Sequence, residues 1–156
     1  MILGAPKCAR LLLGCAIILL LAQSAQADTK LKEAVFKYAG GTDLIGAGCA
    51  GKLEVSDEGL TFRCPQGTIS AIYSGITLMQ FRPDLSRKVR RMKIKWKVRP
   101  YTRGGKTNRY FTVVYNDTGK LCAMVLEVEP LSMRPYLAEI DLRAGRRIEV
   151  KGFEKY

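Results

Sequence analysis

The chain has 156 residues, a formal net charge of +12 and no histidine. That absence excludes Ser-His-Asp and Cys-His nucleophile systems, histidine-based acid catalysis and most transition-metal sites. The reading is therefore of a protein that is not an enzyme and that carries no cofactor or metal.

Lys7 and Arg10 precede an apolar run from Leu11 to Ala22, and Ala25-Gln26-Ala27 offers the small residues that a signal peptidase reads. Twelve apolar residues fall short of the roughly 20 that cross a bilayer. Residues 1–27 are thus expected to be a signal peptide, cleaved before Asp28 and leaving no transmembrane segment in the mature chain. Leu12-Leu13-Gly14-Cys15 has the outline of a lipoprotein box, but Cys15 lies inside the apolar run, which disfavours lipidation. Export implies a periplasmic or extracellular location, and the mature chain, without Lys7 and Arg10, carries +10. Its length suits one domain.

Residues 28–48 read as an N-terminal arm, with a short strand possible over Ala34 to Tyr38 and Gly40, Gly41, Gly46 and Gly48 breaking regular structure. Residues 49–156 read as a β domain with a C-terminal helix. Strands are expected at Lys52 to Val55 and Leu60 to Arg63 around Asp57-Glu58-Gly59, then at Thr68 to Tyr73 and Ile76 to Arg82 around Ser74-Gly75. Cys49 and Cys64 flank the strand pair around Asp57-Glu58-Gly59, where an antiparallel hairpin could bring them together, and are the preferred disulfide, leaving Cys122 free. The alternative is three reduced cysteines acting as small core residues.

Met92 to Arg99 is the most regular strand pattern. Met92, Ile94, Trp96 and Val98 alternate with Lys93, Lys95, Lys97 and Arg99, which predicts one apolar face and one cationic face. Arg103-Gly104-Gly105-Lys106 would turn this strand into Arg109 to Tyr115, making a basic β-hairpin. Asn116-Asp117-Thr118-Gly119 turns again into Leu121 to Val128, a nearly continuous apolar run expected to be a central strand. Asn116-Asp117-Thr118 also fits a glycosylation sequon, but reads better as turn chemistry. Ser132 as N-cap, Pro135 in the first turn, and Met133, Tyr136, Leu137 and Ile140 at helical spacing predict one amphipathic helix ending at Gly145. Arg147 to Lys151 could add a short final strand.

About seven strands followed by one helix, with the stretches from Gly51 to Phe62, Ile72 to Thr77, Tyr110 to Tyr115 and Val125 to Val128, resemble a pleckstrin-homology-like domain of small secreted bacterial proteins. The resemblance covers about residues 50 to 151. It implies a bent antiparallel sheet or partly open barrel plugged by the helix, with no reaction attached. Phosphoinositide-binding members place Lys and Arg at their first β-turn, where this chain has Asp57 and Glu58.

Weaker signals point to catalysis or nucleic acid. Glu127 and Glu129 would share a strand face about 7 Å apart, a spacing that suits a strand surface better than a catalytic pair. Gly105-Lys106-Thr107 ends like a phosphate-binding loop, but Pro100 occupies the position that requires glycine. Tyr73, Tyr101, Tyr110, Phe111, Tyr115 and Trp96 could stack bases, yet Trp96 sits on the apolar face, and export disfavours nucleic acid as partner.

The charge itself is local. Arg87, Lys88, Arg90, Arg91, Lys93, Lys95, Lys97, Arg99, Arg103, Lys106 and Arg109 fall in one segment without a single Asp or Glu, and the rest of the mature chain nets −1. Lys93, Lys95, Lys97 and Arg99 should project at about 7 Å intervals, each neighbouring pair repelling by about 0.6 kcal/mol in unscreened water. An anionic lipid or polysaccharide surface, or an acidic protein, would relieve that repulsion. The plainer reading is a solvated edge whose lysines prevent strand pairing. The expected function is an exported binding domain that contacts an anionic envelope surface. The rival is an assembly protein that uses a sheet edge or the N-terminal arm.

Overall fold

The computed structural model describes residues 34–102, 107 and 109–152. The expected signal peptide and cleavage site, residues 28–33 of the expected arm, Arg103 and Lys106 lie outside the described residues. Among these residues eight strands form one open sheet: β1 Phe36–Gly41, β2 Ala50–Val55, β3 Gly59–Cys64, β4 Gly67–Ile72, β5 Ile76–Arg82, β6 Arg109–Asp117, β7 Lys120–Val128 and β8 Glu149–Val150. Helix α1 spans Arg87–Arg91 and helix α2 spans Pro130–Ala144. The strand order is β4-β3-β2-β1-β7-β6-β5-β8. All pairings are antiparallel except the last, in which β8 runs parallel to β5.

The mainly β class with a C-terminal helix is thus established, and the central place expected of Leu121 to Val128 is occupied by β7, between β1 and β6. Its parity explains the nearly continuous apolar run. Met124, Leu126 and Val128 enter one core, and Ala123 and Val125 enter a second core on the opposite face. A strand covered on both faces has no polar side to show.

The first core bends the sheet. Cα atoms of β4 and β6 come within 8 Å of each other, although five strand spacings in a flat sheet would separate them by about 24 Å. The strands curl around Phe36, Tyr38, Leu60, Phe62, Phe81, Phe111, Met124 and Leu126, all fully buried. Helix α2 covers this hollow through Met133 and Ile140, and Tyr136 meets the Phe36 ring edge-on at 5.0 Å. Arg143 of α2 bonds Asp57, so the first β-turn is tied to the helix.

Several local expectations are corrected. Within the expected arm, the short strand possible over Ala34 to Tyr38 is present but shifted, as β1 at Phe36–Gly41, and it joins the sheet between β2 and β7. Both strands expected around Ser74-Gly75 are present, as β4 and β5, and a 3-10 turn at Tyr73–Gly75 sends β5 to the other half of the sheet. Helix α2 begins at Pro130 with Glu129 as N-cap, so Ser132 lies inside it, donating to the Glu129 carboxylate at 3.0 Å. Proline at the first helical position needs no N–H partner, which favours this earlier start. Glu129 consequently leaves the strand, and Glu127 and Glu129 do not share a strand face. The β6–β7 loop is only Thr118-Gly119, both with positive φ, as a tight hairpin requires.

Cys49 and Cys64 form a disulfide with Cα atoms 6.1 Å apart across the β2–β3 hairpin, and Cys122 is free. The bridge closes a 15-residue separation, so reduction is expected to lower stability by about 3 kcal/mol through the unfolded chain. Guanidinium unfolding with and without reductant measures this; coincident transitions would show that the bridge adds nothing.

Candidate anion-binding surface

The basic segment lies in the long connection between β5 and β6, and it divides into a helical part and an extended part. Ser86 caps α1 by accepting the Val89 N–H at 3.2 Å, and Val89 is fully buried. Arg87, Lys88, Arg90 and Arg91 stay exposed around it. No expectation placed a helix here; the signal available was Ser86 followed by one apolar residue among cations.

Met92 to Arg99 is extended but is not a ladder strand, so the basic β-hairpin is not formed. The segment crosses the outer face of the sheet and touches β1 at one bridge, Gly41 with Val98, where each backbone N–H donates to the other residue's carbonyl. Gly40 makes the crossing possible. Its φ is +157°, and an added Cβ would stand 2.6 Å from the Val98 carbonyl. The expected alternation of faces nevertheless survives. Ile94 is buried, Met92 and Trp96 are half-buried, and all three pack on the second core with Leu78, Val89, Tyr110, Val114 and Val125. Lys93, Lys95, Lys97 and Arg99 are all exposed. Alternation therefore reports burial of one side of an extended chain, whether or not its backbone joins a ladder.

The lysine face has acidic company that the sequence did not reveal. Lys93, Lys95 and Lys97 line a recess of about 610 Å³ with Asp43, Asp117 and Tyr115. Burial pushes the Asp43 carboxyl up from its ordinary value; Lys97 pulls it back down and Asp117 pushes it further up. Asp43 follows β1 and Asp117 ends β6, so only the fold brings them here. The free Cys122 also lines this recess.

A second recess, of about 620 Å³, opens on the α1 side between Arg82, Asp84, Arg87, Arg90 and Lys151. Beside it, Lys88 reaches Glu149 at 3.2 Å, and Glu149 accepts from Gln80 at 2.5 Å. The Gln80 hydrogen bond, followed by Lys88, holds the Glu149 carboxyl below its ordinary value. Arg109 begins β6, half-buried, and donates to the Gly152 carbonyl at 3.3 Å; it is a structural contact near the chain end. Of the aromatics near the charge, Tyr110, Phe111 and Tyr115 are buried and only Tyr101 is strongly exposed, so they offer no stacking platform.

Tyr38 and Tyr115 are expected to make the fold sensitive to alkaline pH. Burial pushes the Tyr38 hydroxyl from 10.0 up to about 12, and burial, with Asp43 nearby, raises Tyr115 as well. Both shifts favour the neutral phenol in the folded chain. Their contribution to stability is complete below the unfolded value of about 10 and is lost as pH rises through the folded values. Unfolding midpoints are expected to fall from about pH 10 upward, with tyrosinate absorbance appearing on unfolding rather than before it. Two tyrosines ionising at ordinary pH in the folded protein would contradict this.

A scan against known protein-family models finds no match, and a search of curated proteins finds no relative.

Proposed function

We propose that this protein is a non-enzymatic, exported binding domain of pleckstrin-homology-like build that lays the strap between β5 and β6 on an anionic envelope surface. One observation carries the reading: all eight described cations from Arg87 to Arg99 are exposed, while of the apolar residues alternating with them along the strap Met92, Ile94 and Trp96 are buried or half-buried in the second core and Val98 is half-buried against the first. The charge therefore sits on a backing that cannot turn over. A surface of anionic phospholipid or lipopolysaccharide phosphates would offset the repulsion along the strap, at about 1 kcal/mol per cation close to the surface. The bent sheet, the closing helix and the disulfide support the pleckstrin-homology-like and exported parts of the reading. Among the described residues no helix is long and apolar enough to cross a membrane, in keeping with peripheral contact.

Vesicles containing phosphatidylglycerol test this. Retention is expected at low salt and should fall steeply as the screening length shrinks from about 10 Å at 0.1 M to about 3 Å at 1 M. Retention that persists at 1 M salt would instead favour the assembly reading. That reading now rests on the free edge of β4, where Ile72 is 64% exposed, because β1, within the expected arm, is already paired with β2 and β7.

A further inference from the structure

Arg82 ends β5 with its side chain only 20% exposed. Its Nε is buried and has no hydrogen-bond partner among the described residues. Its Nη2 stands 3.5 Å from Asp84, the same carboxylate that Arg90 approaches at 3.8 Å. One acid thus serves two guanidinium groups, at distances longer than charge-assisted hydrogen bonds of about 2.7–2.9 Å. Arg87 is one helical turn from Arg90 and faces the same recess, and Lys151 enters from beyond β8, its backbone N–H anchored on the Phe81 carbonyl at 3.1 Å. Four cations and one carboxylate leave a net +3 on the lining. The recess, about 620 Å³, falls within the range of small-ligand sites, about 300–1,000 Å³.

We propose that this recess is a pocket for a phosphomonoester, separate from the lysine face of the strap. The proposal rests on the reading of the basic segment as an anion-binding surface. A phosphomonoester presents three acceptor oxygens and a charge of about −1.5 to −2. A carboxylate offers two oxygens in one plane, and a phosphodiester two non-bridging oxygens with a single charge. Cations converging from the end of β5, from one face of α1 and from the chain after β8 suit the tetrahedral group. Arginine supplies forked donors where lysine offers a point charge, so Arg82 and Arg90 would grip two edges of it.

The test compares vesicles of phosphatidic acid, a monoester headgroup, with phosphatidylglycerol vesicles matched in surface charge, and adds soluble glycerol 3-phosphate as competitor. The wild-type protein should prefer phosphatidic acid by about tenfold, the worth of one charge-assisted hydrogen bond. Arg82→Lys, which keeps the charge but loses the fork, and Lys151→Gln, an exposed site that leaves the core untouched, should each erode that preference. Competition by glycerol 3-phosphate would identify soluble phosphate esters as ligands. A preference that glycerol 3-phosphate does not relieve would identify the lipid headgroup. No monoester preference in the wild type, or variants that lower binding to both vesicles equally, would overturn the pocket while leaving the electrostatic surface standing. Loss of salt-sensitive binding to phosphatidylglycerol itself would instead sink the reading on which the pocket rests.

Discussion

Replacing Lys93, Lys95, Lys97 and Arg99 together by Gln is expected to weaken retention on phosphatidylglycerol vesicles on the order of 10³-fold, at about 1 kcal/mol for each cation near an anionic surface. The fold should not suffer. All four side chains are exposed, and their removal relieves about 0.6 kcal/mol of repulsion per neighbouring pair. Lys97 alone has an opposing role, because it draws down the Asp43 carboxyl, so the thermal midpoint should hold or rise slightly rather than climb. Vesicle co-sedimentation at low salt, paired with thermal unfolding of the same variant, gives both readings. Wild-type binding by this variant would end the electrostatic reading and leave the β4 edge as the contact.

Phe111→Ala should cost about 3–5 kcal/mol, because a fully packed aromatic leaves a cavity as well as losing its transfer energy. Phe111 has no exposed surface and stands at the centre of the bent sheet, on β6 opposite Phe81 and Leu126. Trp96→Ala should cost clearly less. Its indole, on the apolar face of the segment, is only half-buried, packed at the margin of the second core. The difference matters for binding. Loss of Phe111 should reduce binding only through unfolding, whereas loss of Trp96 should loosen the strap and lower vesicle affinity in protein that remains folded. Denaturant unfolding of both variants decides it, and equal costs would mean that the two faces of the sheet bury their residues alike.

Much of the fold was legible because short-range rules govern it. Asp57-Glu58-Gly59 and Ser74-Gly75 punctuate the chain where strands end, and Gly145, at φ +58°, stops α2 in the left-handed conformation that glycine favours. The disulfide was legible from Cys49 and Cys64 flanking one hairpin. The elements misread share a physical cause. Phe36 to Gly41 is short and glycine-ended, with nothing local to mark it as an inner strand, and on one side its partner is β7, more than eighty residues away. Met92 to Arg99 satisfies every local criterion for a strand. Its apolar side chains lie on an already formed sheet face, however, and of the described strands only β1, through Gly41, bridges to its backbone.

The candidate site divides along the same line. The sequence alone determines that the charge is concentrated between Arg87 and Arg109, that histidine chemistry is absent, and that Lys93, Lys95, Lys97 and Arg99 share one side of an extended chain, since composition and a two-residue period need no partner to be expressed. What faces those cations was decided by tertiary structure. Asp43 and Asp117 come to the lysine face from the chain after β1 and the end of β6, and Arg82, Asp84 and Lys151 complete the arginine recess from the end of β5, the α1 approach and the chain after β8. These groups are separated by tens of residues and carry no shared motif. Their proximity follows from the bend of the sheet and from burial of Val89, Ile94 and their neighbours on its outer face, which holds the strap where the charges meet.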